Sequence, residues 1–268
     1  MELMTLAIQT VLLRPYVFFF LAVSCYSASR LLGWSRTAAL FGITWLTAFL
    51  SELASTRIGI PFGHYFYTES TKGQELYLAN VPFMDSLSFT FLLYASYTMA
   101  LAFVLPMARD SGQPSWVMLP ALWTHWTVIG LASVFFMLID VVIDPVALRG
   151  DRWFLGQIYG YADDGVYFGV PLSNFVGWAI VGGLSLTGFR VLDRYVHRTG
   201  SVRRERVRGA LLSGIGLYYL VLAFNLAVTF WIGELLIGTV GCFIYLPLTA
   251  LVLLRIAGRL PALQEQAL

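Results

Sequence analysis

The chain has 268 residues, of which 58% are hydrophobic, 16% aromatic and only 12% charged, and its mean hydropathy is strongly positive. So few charges cannot cover the surface of a water-soluble domain of this length, which excludes that class and points to a bilayer. The net charge of +2 gives no reason to expect a nucleic-acid partner, and the placement of charge says more than its sum.

A hydrocarbon layer about 30 Å thick needs about 20 apolar residues of helix. Seven stretches qualify, near Pro15–Gly33, Thr37–Ser55, Asp85–Pro106, Trp116–Ile139, Pro171–Phe189, Gly209–Phe230 and Leu235–Leu254. The first has no small-residue cleavage site followed by a polar mature domain, so it reads as a span rather than a removable signal. No internal repeat is visible, and residues 1–268 read as a single polytopic membrane domain. Between spans lie two long connections, about Thr56–Met84 and Asp140–Val170, rich in Gly, Pro, Tyr and Trp. Such composition predicts folded caps over the helix ends, not floppy hydrophilic loops. The expected fold is therefore an all-α integral membrane protein with about seven transmembrane helices and two structured outer-face loops. Cys25 and Cys242 sit in apolar runs and read as buried thiols, with no disulfide framework or cysteine metal site.

Charge placement orients the spans. Twelve of the 17 basic residues, from Arg30 and Arg36 through Arg109, Arg190 and Arg194 to Arg255 and Arg259, fall in the 1–2, 3–4 and 5–6 connections and the C-terminal tail. By the positive-inside rule that face and the C-terminus are cytoplasmic, and the run RRERVR (203–208) is a topology anchor on anionic lipid. The opposite face collects carboxylates, among them Glu52, Asp85, Asp140, Asp144 and Glu234.

Four segments on that acidic side form an ordered set: ELASTRIGIPFGHYFYT (52–68), NVPF (80–83), DVVIDPVA (140–147) and GVYFGVPLSNFVGW (165–178). Together they resemble the pattern of the membrane carotenoid-biosynthesis family that contains γ-carotene hydratases and bisanhydrobacterioruberin hydratases. Two stretches depart from that pattern: MDSLSF (84–89) stands where a more apolar start with a tryptophan is expected, and FLGQIYGYADDG (154–165) is longer than expected. The resemblance implies addition of water to the terminal isprenyl double bond of a linear or monocyclic carotenoid, a lycopene- or γ-carotene-like polyene, in a bacterial inner membrane. Protonation of such an alkene leaves a tertiary carbocation that water captures as a tertiary alcohol. That chemistry needs a protonated acid, a positioned water and an electron-rich wall.

The residues offer candidates for each role. Asp140 and Asp144 are one helical turn apart on one face, with Pro145 expected to end the helix beside them. Asp140 is read as the deeper acid and Asp144 as the group that orients water; the plainer alternative is ion pairing with Arg149 or Arg152, or exposure to water. Glu52, within the second span, is the other candidate acid, with snorkelling to water or pairing to Arg57 as its alternative. Tyr65, Tyr67, Trp153, Tyr159, Tyr161, Tyr167 and Trp178 are available to wall a cation or to form an interfacial aromatic belt. Asn174 would hold a water or pack helices.

Rival chemistries lack their residues. The only lysine, Lys72, lies in a loop, so no intramembrane retinal Schiff base can form. The three histidines, His64, His125 and His197, are scattered, with His197 on the basic side, so no di-iron site is expected. Hydration changes no oxidation state, and no metal or cofactor is expected. A carotenoid cyclase, an aspartate-motif prenyltransferase and a non-enzymatic lipid- or polyene-binding or transport protein remain as alternatives.

Overall fold

In a computed structural model of the protein, the residues described are 2–110, 112–119, 122–196 and 205–263. His197, Arg198, Arg203 and Arg204, assigned above to the basic face, lie outside them. A short apolar helix α1 (Glu2–Leu13) precedes α2 (Pro15–Leu32), α3 (Trp34–Ile58), α4 (Phe83–Val104), α5 (Trp126–Ala147), α6 (Leu172–Val196), α7 (Arg208–Trp231) and α8 (Leu235–Ile256). The last seven are long and apolar enough to cross a membrane. Short strands occupy the helix ends: β1 (Tyr65–Tyr67), β2 (Tyr77–Leu78), β3 (Val81–Pro82), β4 (Met107–Asp110), β5 (Gln113–Met118), β6 (Tyr159–Tyr161) and β7 (Glu205–Arg206).

Local chemistry sets the breaks. Pro15 opens α2 at a position where its missing N–H costs nothing, and Gly33, at φ +80°, separates α2 from α3. A left-handed Gly59 closes α3. Helix α4 is buried on all sides and packs against α2, α3, α5, α7 and α8, so it forms the axis of the bundle. Its contact with α7 is close: a Cβ at Gly214 would lie 2.4 Å from the Thr98 side chain. By contrast, the outward faces of α3 and α8 carry exposed Leu46, Leu50, Phe243 and Leu246, as lipid-facing helices should. The cysteines correct the expectation of burial: Cys242 on α8 is exposed and Cys25 on α2 is half-buried.

The largest departure from the expected spans is the fourth. Trp116–Ile139 is apolar enough to be a helix, yet its first part turns back as β5 on β4, with Trp116 donating to the Ala102 carbonyl at 2.8 Å. The span therefore slides to Trp126–Ala147, which carries Asp140 and Asp144 inside the helix instead of beyond it. Nor does Pro145 end α5. It sits in the last turn, the Leu148 N–H still donates to the Asp144 carbonyl at 2.9 Å, and the connection to α6 begins only after Ala147.

Strand pairing assigns the connections to two faces. β5 also pairs with β7, which joins the α4–α5 and α6–α7 connections at one end of the bundle. At the other end β1 pairs with β6, which joins the α3–α4 and α5–α6 connections. This second face is tied down by ion pairs. Arg14, at the joint of α1 and α2, meets Glu75 at 3.0 Å with both side chains fully buried, and donates to the Leu155 carbonyl at 2.6 Å. Arg149 meets Glu234 at 3.1 Å, and Arg152 bonds the same carboxylate, which links the α5–α6 connection to the α7–α8 turn. Reporter domains inserted after Gly73 and after Gly258 are therefore expected in opposite compartments. Reports from the same compartment would contradict this arrangement of spans.

Candidate functional site

Beneath the β1–β6 pair the bundle encloses an open-mouthed cavity of about 980 Å³, its mouth included. Its wall is largely aromatic and aliphatic, but the carboxylates of Glu52, Asp85 and Asp144 open into it. Each comes from a helix end on the capped face: Glu52 from the last two turns of α3, Asp85 from the first turn of α4, Asp144 from the last turn of α5. Carboxylates there are expensive unless hydrogen-bond donors meet them.

Most of the donors are tyrosines. In the antiparallel β1–β6 register Tyr65 faces Tyr161 and Tyr67 faces Tyr159. Side chains two apart on a strand share a face, so all four rings point the same way, into the cavity. The intervening Phe66 turns outward over Gly160, where a Cβ would lie 3.1 Å from its ring. The Tyr67 hydroxyl donates to Asp85 Oδ2 at 2.7 Å and lies 3.2 Å from Glu52 Oε1, and Ser86 donates to Glu52 Oε2. Tyr161 donates to Asp144 Oδ2 at 2.6 Å while Tyr159 donates to Oδ1. Burial, with the adjoining carboxylates, pushes all four phenols well above their usual range, so they remain donors at any ordinary pH.

Asp140 is the deeper of the pair, but it is closed off from the cavity. It is fully buried one turn below Asp144. The Asn174 amide bridges the pair, donating to Asp140 Oδ2 at 2.6 Å and to Asp144 Oδ2 at 2.9 Å, while Asp140 Oδ1 is buried without a partner. Neither aspartate pairs with Arg149 or Arg152, which bind Glu234 instead, and Glu52 bonds Tyr67 and Ser86 while Arg57 is exposed.

The other candidates divide. Trp178 lines the cavity, stacked on Phe89 at 4.3 Å, and Trp153 lines it with its indole N–H donated to the Val146 carbonyl at 3.0 Å. Tyr167 does not reach it: its ring packs on Phe168 and Phe175 in the turn before α6. Among the described residues no three His, Cys, Asp or Glu side chains gather as a metal site requires, and His125 instead caps α5 at the far face. Sequence reasoning missed Asp85 as a site residue, although an acid at the lip of an apolar run is the same signal that Asp144 gives.

The family model described as carotenoid biosynthesis protein matches residues 11–246, a range that includes every cavity-lining residue named here. No curated protein and no solved structure matches the chain.

If Asn174 is the link that holds two buried aspartates together, its removal should matter only while they are present. Asn174→Leu is expected to lower the thermal midpoint of the detergent-purified protein, and a double-mutant cycle with Asp140→Asn should show coupling of about 1 kcal/mol or more. Additive effects of the two changes would refute the bridge.

Proposed function

The chain belongs to the carotenoid biosynthesis protein family, and on that premise we propose that it hydrates a carotenoid end group, adding water across the terminal isoprenyl double bond of a linear or monocyclic polyene. The observation that carries this reading is the cavity itself: three carboxylates open into a chamber otherwise walled largely by aromatic and aliphatic side chains. The multi-pass bundle suits a substrate dissolved in lipid. The excess of basic residues on the opposite face supports a cytoplasmic C-terminus and a site in the outer leaflet of a bacterial plasma membrane.

Hydrogen-bond accounting divides the roles. The Tyr67 hydroxyl has one proton and two carboxylates within reach, so a carboxyl O–H on Glu52 or Asp85 completes the second contact. Glu52, met by Tyr67 at the longer distance, is the proposed acid, with Asp85 as its partner. Asp144 accepts from Tyr159, Tyr161 and Asn174, the surroundings of a carboxylate held as an anion.

In the proposed reaction the Glu52 proton adds to the less substituted alkene carbon and the π pair forms the new C–H bond. A tertiary cation remains, facing Asp144 and the aromatic wall of Tyr65, Phe89 and Trp178. Such a contact contributes about 2 kcal/mol when desolvated. Water oriented by Asp144 supplies the electron pair of the C–O bond, and Asp144 takes the proton the oxygen loses. Return of one proton to Glu52 closes the cycle. The net change is one alkene plus one water to one tertiary alcohol. Asp140 is a positioning residue, acting on Asp144 through Asn174.

Expression in a lycopene-producing bacterium should yield pigment heavier by one water. Glu52→Gln and Asp144→Asn, at equal protein level, are each expected to lower hydration about 10²–10⁴-fold, the usual contribution of proton transfer, and Asp140→Asn to lower it less. Wild-type rates in both of the first two variants would reject the assignment, and a cyclised product of unchanged mass would favour a cyclase. Activity of the purified protein is expected to survive a chelator; loss with rescue by Mg²⁺ would favour a prenyltransferase.

A further inference from the structure

The carboxylates occupy only one end of the cavity. Its wall continues along Val17 and Phe20 of α2, Phe91 of α4, and Val221 and Phe224 of α7. Val221 is ten residues below Trp231, the outer end of α7, which places the floor of this arm about 15 Å down, near the middle of a hydrocarbon layer. Along the seam between α2 and α7 the two halves differ. In the inner half small residues close it, with Ser27 Oγ 2.7 Å from Ser213 Oγ. In the outer half aromatic rings spread it: Tyr16 stacks on Phe224 at 5.4 Å, and Phe20 meets Phe224 edge-on at 5.8 Å. Val17, Phe20 and Val221 are buried, whereas Tyr16 and Phe224, which also line the cavity, are only partly buried. The polar side chain of the arm, Asn225, gives its amide N–H to the Val221 carbonyl at 3.0 Å.

We propose that the outer half of the α2–α7 seam is a lateral port that holds the conjugated tail of a long, linear polyene while its end group lies among the carboxylates. This rests on the polyene reading above and adds where the remainder of the molecule goes. A long polyene is rigid and extended, as long as a hydrocarbon layer is thick (~30 Å), so it cannot lie wholly inside an arm whose floor is about 15 Å down. The tail leaves through a wall, and α2–α7 is the seam whose lining is aromatic and continuous with the chamber, with Tyr16 and Phe224 only partly buried at its rim. A flat conjugated chain offers these rings offset and edge contacts, each contributing about 0.5–1.5 kcal/mol. Val17, Val221 and Phe224 thus set which tails are accepted and take no part in the proton transfers.

The test reads binding without turnover, in the Asp144→Asn background. Full-length protein in phosphatidylcholine nanodiscs is titrated with lycopene and with a truncated apo-lycopenal that keeps the same acyclic end, and the shift in polyene absorption is followed. Val17→Trp and Val221→Trp, which fill the arm, are expected to weaken lycopene binding about tenfold or more and to spare the short probe, whose retention also reports a folded protein. Phe224→Ala, which opens the rim without filling the core, is expected to speed lycopene release about tenfold and to leave the short probe unchanged. Lycopene bound with wild-type affinity by the folded tryptophan variants, and released at the wild-type rate from Phe224→Ala, would overturn the port. Length-selective loss of binding, even where the wild type forms no alcohol, would reject hydration alone and still support it.

Discussion

Carboxylates within a membrane bundle persist only where something donates to them, and here most of the donors come from outside the helices. A helix consumes its own backbone N–H groups, so α3, α4 and α5 can bring Glu52, Asp85 and Asp144 together but cannot satisfy them alone. Most of what satisfies them is a pair of three-residue strands from two loops, whose alternation aims four phenols at one spot. The rest of the capped face follows from holding that pair still. The buried Arg14–Glu75 bridge and the Arg149 and Arg152 bonds to Glu234 clamp its supporting loops to the helix ends. Removing one partner of a buried ion pair costs about 3–5 kcal/mol, so the Arg14–Glu75 bridge ties the cap to the fold's stability.

The cap also creates an asymmetry across the cavity. Glu52 and Asp85 share one phenol, with one serine hydroxyl on Glu52, whereas Asp144 alone has two phenols and an amide. One side is short of donors and the other has a surplus, which on the proposed reading lets similar residues in the same cavity differ in whether they hold a proton. Hydration of an alkene requires that difference, since one group must give a proton and another must receive one within a single turnover. An apolar arm on the α2–α7 side would let the reacting end enter this polar corner while the tail stays in lipid.

Much of this was legible in the sequence because it depends on local pattern. Apolar length finds the seven spans, the four-residue spacing puts Asp140 and Asp144 on one face, and an acid within a span marks Glu52. What could not be read is what depends on distant pairing. Trp116–Met118 has the composition of a helix and becomes a strand because Met107–Asp110 lies beside it, which moves α5 along the chain and puts both aspartates inside the helix. The Tyr-x-Tyr segments at 65–67 and 159–161 look like an aromatic belt until the register shows them facing one another. Tyr167 has the same composition around it but sits in a turn that aims it at Phe175. The family resemblance was least help where this chain departs from the pattern: Asp85 lies in MDSLSF, and Tyr159 and Tyr161 lie in FLGQIYGYADDG.

The central claim is that both the new hydrogen and the new oxygen on the end group come from water, through carboxylates, with no oxidant. It is tested most directly by incubating the purified protein with lycopene in water labelled with both deuterium and oxygen-18, and locating the labels in the product by mass spectrometry. The expected product carries oxygen-18 at the tertiary carbinol and one carbon-bound deuterium on the adjacent carbon. Oxygen drawn from dissolved dioxygen, or a carbinol formed without that adjacent deuterium, would contradict alkene protonation as the reaction of this site.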